Sequence, residues 1–184
     1  MRKTPLAALA ATLILSACWT THVVLKYQAP PNAAPAAPGM PAIAVGAFSD
    51  TRGKKANWIG RIRGTVGNTL ETFVIDQPVV TLVQAQFRAG LEARQFPVVE
   101  SGAVYEIAGV VRKLGSVQYV HVETDVAIEV QVRRLPSGEQ TFVHVYSAHA
   151  VGSVQAIGAV TERTLRDVVN QTLDDRAFRD ALSH

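Results

Sequence analysis

The chain has 184 residues, 48% of them hydrophobic, with one cysteine and a formal charge of +3 from 18 basic and 15 acidic side chains. That length and hydrophobic content predict one globular domain with a proper core. A single cysteine excludes an intrachain disulfide and leaves no second thiolate for a metal, and the small positive excess, part of it in Arg2 and Lys3, gives no support for a nucleic-acid partner.

The chain opens MRKTPLAALAATLILSAC. Arg2 and Lys3 form a positive head, Leu6 to Leu15 an apolar run broken only by Thr12, and Ser16 and Ala17 are small. This is the order of a secretory signal, and the run is too short to cross a bilayer as a helix. Leu15-Ser16-Ala17-Cys18 resembles the lipobox of bacterial lipoproteins. The resemblance implies a signal peptide over residues 1–17, diacylglycerol on the Cys18 thiol and an N-acyl chain on its amino group, so Cys18 is expected to anchor. Buried acyl chains stabilise membrane attachment by about 0.8 kcal/mol per CH₂. Trp19, where retained lipoproteins carry Asp, implies by the same resemblance the inner leaflet of the outer membrane, with the domain facing the periplasm. No cofactor is expected beyond these covalent lipids.

Residues 18–41 are expected as a lipidated N-terminus and tether. Val23-Val24-Leu25 has the composition of a small first strand. The segment APPNAAPAAPGMP, residues 29–41, holds five of the nine prolines. Such a composition predicts a semi-rigid extended spacer of about 3.1 Å per residue, reaching on the order of 40 Å.

A single α+β domain is expected over residues 42–184. Alternation predicts a strand from Ile43 to about Asp50; residues 53–69 are Gly-rich and basic and read as a loop; LETFVI, residues 70–75, reads as a second strand. Asp76-Gln77-Pro78 signals a helix start, and Val80, Val83, Phe87 and Leu91 give that helix a buried stripe up to Phe96-Pro97. Ala103 to Leu114 reads as a strand. In YVHVETDVAIEVQVRR, Val120, Val122, Val126, Ile128, Val130 and Val132 face one way and His121, Glu123, Asp125, Glu129, Gln131 and Arg133 the other. PSGE, residues 136–139, turns the chain into a return strand over 140–150. Residues 159–173 form a helix, and Asp174-Asp175 precedes a last short helix through Phe178 and Leu182. The order β-(β)-α-β-β-β-α predicts a mainly antiparallel sheet of four to five strands with two helices packed on one face.

No strong catalytic signature is present: there is no G-x-S-x-G, no H-E-x-x-H and no nucleotide-binding glycine pattern. GRIRGTVG, residues 60–67, lacks the Gly-Lys-Ser/Thr ending of a phosphate cradle. Glu123, Asp125 and Glu129 share a strand face, on which carboxylates two residues apart sit roughly 6 to 7 Å from each other, a separation that suits glycoside hydrolysis only inside an apolar cleft. The hairpin register places His144 opposite residue 130 and His149 opposite residue 125, with His121 beyond both, so three metal ligands do not converge. The basic stretch Asp50–Gly64 is the remaining candidate for contact. Its Arg52, Lys54, Lys55, Trp58, Arg61 and Arg63 combine cations with an aromatic, a set that docks on anionic or acidic partners.

With this pattern laid out, the chain resembles the YajG-type lipoproteins of Gram-negative envelopes. The resemblance is carried by SVQYVHVETDVAIEVQVRRLPSGEQTFVHVYSAHAVGSVQA, by TERTLRDVVNQTLDD with FRDAL, by the Asp-x-Arg element of Asp50 and Arg52 in AVGAFSDTRG, and by the Y-x-I-x-G-x-V of Tyr105 to Val111. The arrangement is also similar to auxiliary lipoproteins of ABC-type lipid transporters, the N-terminal domain of TolB and the curli secretion lipoprotein. The resemblance implies a non-enzymatic domain that binds another envelope component, a protein or a lipid-transport complex. The alternative is a transport accessory that holds an acyl chain or lipopolysaccharide between sheet and helices, for which an apolar cavity beneath the helix at residues 78–95 is the requirement. A peptidoglycan hydrolase using Glu123 or Asp125 ranks third.

Overall fold

The computed structural model describes residues 19–183 except 136, 154 and 155. Cys18 and the leader therefore lie outside the described residues. Seven strands form one sheet: β1 (Trp19–His22), β2 (Ile43–Asp50), β3 (Trp58–Arg63), β4 (Thr69–Val74), β5 (Tyr105–Gln118), β6 (Val122–Arg134) and β7 (Glu139–Gly152). Three helices, α1 (Val79–Ala93), α2 (Ile157–Asp174) and α3 (Arg176–Ala181), complete the elements among the described residues. The class is α+β, as expected.

The sheet runs β1-β4-β3-β5-β6-β7, with β2 also paired to β5. It is mixed rather than mainly antiparallel. The β3–β4, β5–β6 and β6–β7 pairs are antiparallel, whereas β1–β4, β2–β5 and β3–β5 are parallel. Two strands exceed the expected set. Residues 58–63, read as loop, pair on both sides as β3, and the first strand lies at Trp19–His22, ahead of the expected Val23-Val24-Leu25.

The helices cover one face of the sheet and leave the other to solvent. On α1 the buried stripe is Val79, Leu82, Val83, Phe87 and Leu91, so Val79 takes the place expected of Val80. Phe87 stacks on Phe48 of β2 with centroids 5.2 Å apart. Gly90 lets α1 meet α2 closely, since a Cβ there would sit 2.7 Å from Leu173 Cδ1. The helix ends in a Schellman turn: Gln95 takes φ 60°, its N–H donates to the Glu92 carbonyl, and that of Phe96 to the Leu91 carbonyl. On β6, Val122, Val126, Ile128, Val130 and Val132 are all buried beneath α2. Val120 departs from that row; it sits in the β5–β6 turn and is exposed.

The Pro/Ala-rich segment does not stand off as a spacer; it is laid against the domain. The Ala36 N–H donates to the Arg94 carbonyl at 2.7 Å, Arg179 donates to the carbonyls of Ala34 and Pro35 at 3.0 and 3.2 Å, and Ala36 and Met40 pack on the core. Extended proline-rich backbone leaves its carbonyls and N–H groups free; Arg179 uses two of the carbonyls, and the Arg94 carbonyl takes one N–H.

Candidate interaction surface

Strands β2 and β3 both lie along one edge of β5, one after the other, with residues 51–57 between them. Arg52 fills that interruption. Its Nη1 donates to the carbonyls of Trp58 and Leu114 at 2.8 and 3.0 Å, satisfying backbone acceptors where the ladder is interrupted. Asp50 holds it with both carboxylate oxygens, at 2.9 Å to Nε and 2.7 Å to Nη2. The Arg52 guanidinium beside it keeps the Asp50 carboxyl below its ordinary pKa, against the opposing effect of burial. With 3% of its side chain exposed, Arg52 is a structural plug. It is the one member of the predicted contact set that the fold takes out of reach, because its donors are already turned inward.

Trp58 opens β3 and lies over Gly115 of β5, where a Cβ would meet the indole at 2.6 Å. The glycine thus provides the flat seat that half-buries the ring. Lys54 Nζ stands 5.6 Å from the ring centroid, a cation–π distance. Around this platform Lys54, Arg112, Lys113 and Val117 enclose an open depression of about 200 Å³. Lys55 is exposed beside it. Further along β3, Arg63 donates to the Tyr119 hydroxyl at 3.1 Å and its guanidinium lies 5.6 Å from the Tyr119 ring centroid. The Nε atoms of Arg61 and Arg63 are buried without a hydrogen-bond partner among the described residues. Arg112, Lys113, Gly115 and Tyr119 were not in the predicted set. Their signal was the alternation Gly115-Val117-Tyr119, which continues the strand past Leu114.

Several other polar groups of this open face are paired. Arg112 binds Glu129, whose carboxyl is held below its ordinary pKa by that contact and by the Gln131 amide at 2.8 Å. His121 meets Glu123 at 2.9 Å and His149 meets Asp125 at 3.1 Å. Asp125 stands opposite His149 and Val130 opposite His144, the register read from the sequence. An odd separation on one strand puts His144 and His149 on opposite faces, and no group of metal-ligating side chains forms among the described residues. Glu123 and Asp125 are both more than half exposed on a strand, Asp125 at the edge of the open depression beside Trp58.

No helix among the described residues is long and apolar enough to cross a membrane. The sequence matches no family model, and no curated protein matches it in sequence. Solved structures do match. A DUF330-family protein from Xanthomonas campestris aligns with TM-score 0.67 and 15% identity over 88% of this chain and 96% of its own. A PelC dodecamer subunit from Paraburkholderia phytofirmans aligns with TM-score 0.50 and 13% identity over 77% of this chain and 93% of its own. A lipoprotein of Neisseria meningitidis aligns over 71% of this chain and 99% of its own, at 9% identity and TM-score 0.30, too little overlap to carry an argument. At these identities the likeness is one of fold alone, and it does not single out the YajG-type family.

Proposed function

We propose that the chain is a lipid-anchored lipoprotein of the outer membrane's inner leaflet, held by acylated Cys18, whose periplasmic domain is a non-enzymatic module that binds another envelope component through the open face of its sheet. The observation that carries this is the Trp58 platform. An aromatic ring seated on Gly115 and flanked by Lys54, Arg112 and Lys113, with Asp125 the acid beside them, presents a flat apolar surface with a mainly cationic rim. Tryptophan and arginine are enriched at the energetic centres of interfaces.

The close packing beneath α1 favours this reading over the acyl-carrier alternative. Val79, Val83, Phe87 and Leu91 are fully buried there and the Phe48–Phe87 stack fills the space a chain would need. Glu123 and Asp125, exposed and histidine-paired, lack the apolar surroundings that a hydrolase requires of its acid.

The test is crosslinking in intact cells, comparing wild type with a Lys54→Glu, Lys55→Glu, Lys113→Glu variant. A specific protein captured by the wild type and lost in the variant supports the reading. Equal capture by both, or lipid alone, overturns it. Because a PelC protein of similar fold is a dodecamer, a second copy of this chain is one of the species to be distinguished.

A further inference from the structure

The sheet has two ends, and one of them gathers most of the exposed apolar bulk. Strand β1 enters beside the start of β4, Trp19 opposite Glu71. The β3–β4 turn, residues 64–68, lies at that same end, and so does the β5–β6 turn, because Ile62 pairs with Gln118 and Arg63 reaches Tyr119. Strand β7 also finishes there, with Val122 opposite Gly152. Trp19, Val66, Leu70, Tyr119, Val120 and Val151 are six of the ten large apolar side chains exposed among the described residues, and all six belong to this end. Trp19 is 73% exposed, Val66 87% and Val120 80%. Arg61 and Arg63 lie just behind them on β3.

A monomer gains nothing from leaving such residues in water, so their common placement calls for a cover. The chain itself names it. Cys18 is one residue before Trp19, about 3.8 Å between Cα atoms, and the segment that was expected to hold the domain away from its anchor begins only after β1 and is folded back on the helices. An acylated Cys18 therefore leaves no slack between the bilayer and β1. Tryptophan and tyrosine favour the headgroup level of a membrane, and arginines behind them complement anionic headgroups.

We infer that this end of the sheet is a membrane-docking surface, seated on the phospholipid headgroups with Trp19, Val66, Tyr119 and Val120 at the interface. The inference rests on the proposed acylation of Cys18. It fixes the domain's orientation: β5, 14 residues long and so about 45 Å at roughly 3.3 Å per residue, points away from the bilayer, and residues 101–104 lie at the far end beside the β6–β7 turn.

The experiment uses the full chain, processed in cells and reconstituted in vesicles of phosphatidylethanolamine and phosphatidylglycerol that carry a headgroup nitroxide. Acylation converts the Cys18 thiol to a thioether, so a cysteine introduced by Val66→Cys, Val120→Cys or Ser101→Cys is the only thiol open to a fluorophore. The inference expects the labels at positions 66 and 120 to lose fluorescence to the nitroxide while the label at position 101 does not. Two independent positions at the docking end guard against a local disturbance at either. Intact mass separates the ways it can fail. With acyl chains on Cys18 but equal quenching, or none, at all three positions, the docking surface is refuted and the anchor stands. With Cys18 unmodified, anchor and docking surface fall together.

Discussion

The Arg94 guanidinium, fully buried at the end of α1, donates to the Tyr27 hydroxyl at 2.8 Å. The same group reaches Asn170 at 3.1 Å and Asp174 at 3.1 Å on α2, and Tyr27 in turn donates to Asn170 at 2.9 Å. One arginine thus ties the N-terminal segment to both long helices. Arg94→Met strands several polar partners of a buried charge, and the expected loss is about 2–3 kcal/mol, while Tyr27→Phe removes one neutral contact for about 1 kcal/mol. Urea denaturation gives both values. Limited proteolysis should show the first cut within residues 29–41 in the Arg94 variant, because the clamp fixes Tyr27 at the head of that segment.

The Asp50–Arg52 pair carries a pH dependence of determined sign. The folded-state pKa of Asp50 lies below its ordinary value, so the unfolded chain takes up the proton first. Its contribution to stability is present above the unfolded value of about 3.9 and is lost as pH falls through the lower folded value. Urea midpoints measured from about pH 5 to about pH 2 should fall more steeply in wild type than in Asp50→Asn. The Asn variant should also be the less stable at neutral pH.

Gly115→Ala tests the seat of Trp58. The added carbon would meet the indole at 2.6 Å, and such overpacking costs about 1–3 kcal/mol. The ring must lift toward solvent, so tryptophan emission should shift to the red, measured in a Trp19→Phe background that leaves Trp58 as the only reporter.

Tyr146 and Asp175 couple the last strand to α3. Asp175 accepts the Ala177 N–H at 2.8 Å as the helix cap and the Tyr146 hydroxyl at 2.5 Å with its other oxygen. Burial, and then the carboxylate, push the phenol well above its ordinary pKa. A raised folded value means that stability is present below the unfolded value of about 10 and declines above it. Tyr146→Phe should cost about 1–2 kcal/mol near neutral pH, and the gap to wild type should narrow as denaturation is followed above that value.

The long hairpin was legible because one of its faces is wet and the other buried. Period-two alternation therefore ran from Val122 to Val132 with Thr124 the one polar residue on the buried side, and the turn set a register that His149 and Asp125 confirm. Strand β3 was not legible. Gly60 sits in it because Ser116 and Ile157 come close, and its parallel partner β5 is some fifty residues away in sequence. Its hairpin turn to β4, residues 64–68, lay inside the stretch read as loop, and β1, which pairs only in parallel, has no local turn to mark it. The proline-rich segment read as a spacer because what holds it, Arg94 and Arg179, comes from distant helices. Of the contact set, Trp58, Lys54 and Lys55 were readable as cation plus aromatic. That Arg52 points inward depends on the interruption in the edge of β5, which no local pattern reveals.

Site-specific photocrosslinking in intact cells tests the binding role of the open face most directly. A benzoylphenylalanine at Lys54 or Lys113, beside Trp58, is compared with one at Glu92, exposed on the helical side. The account predicts one common adduct from positions 54 and 113, absent from position 92 and lost with Trp58→Ala. Adducts of equal yield from both sides of the domain, or adducts from position 92 alone, would contradict it.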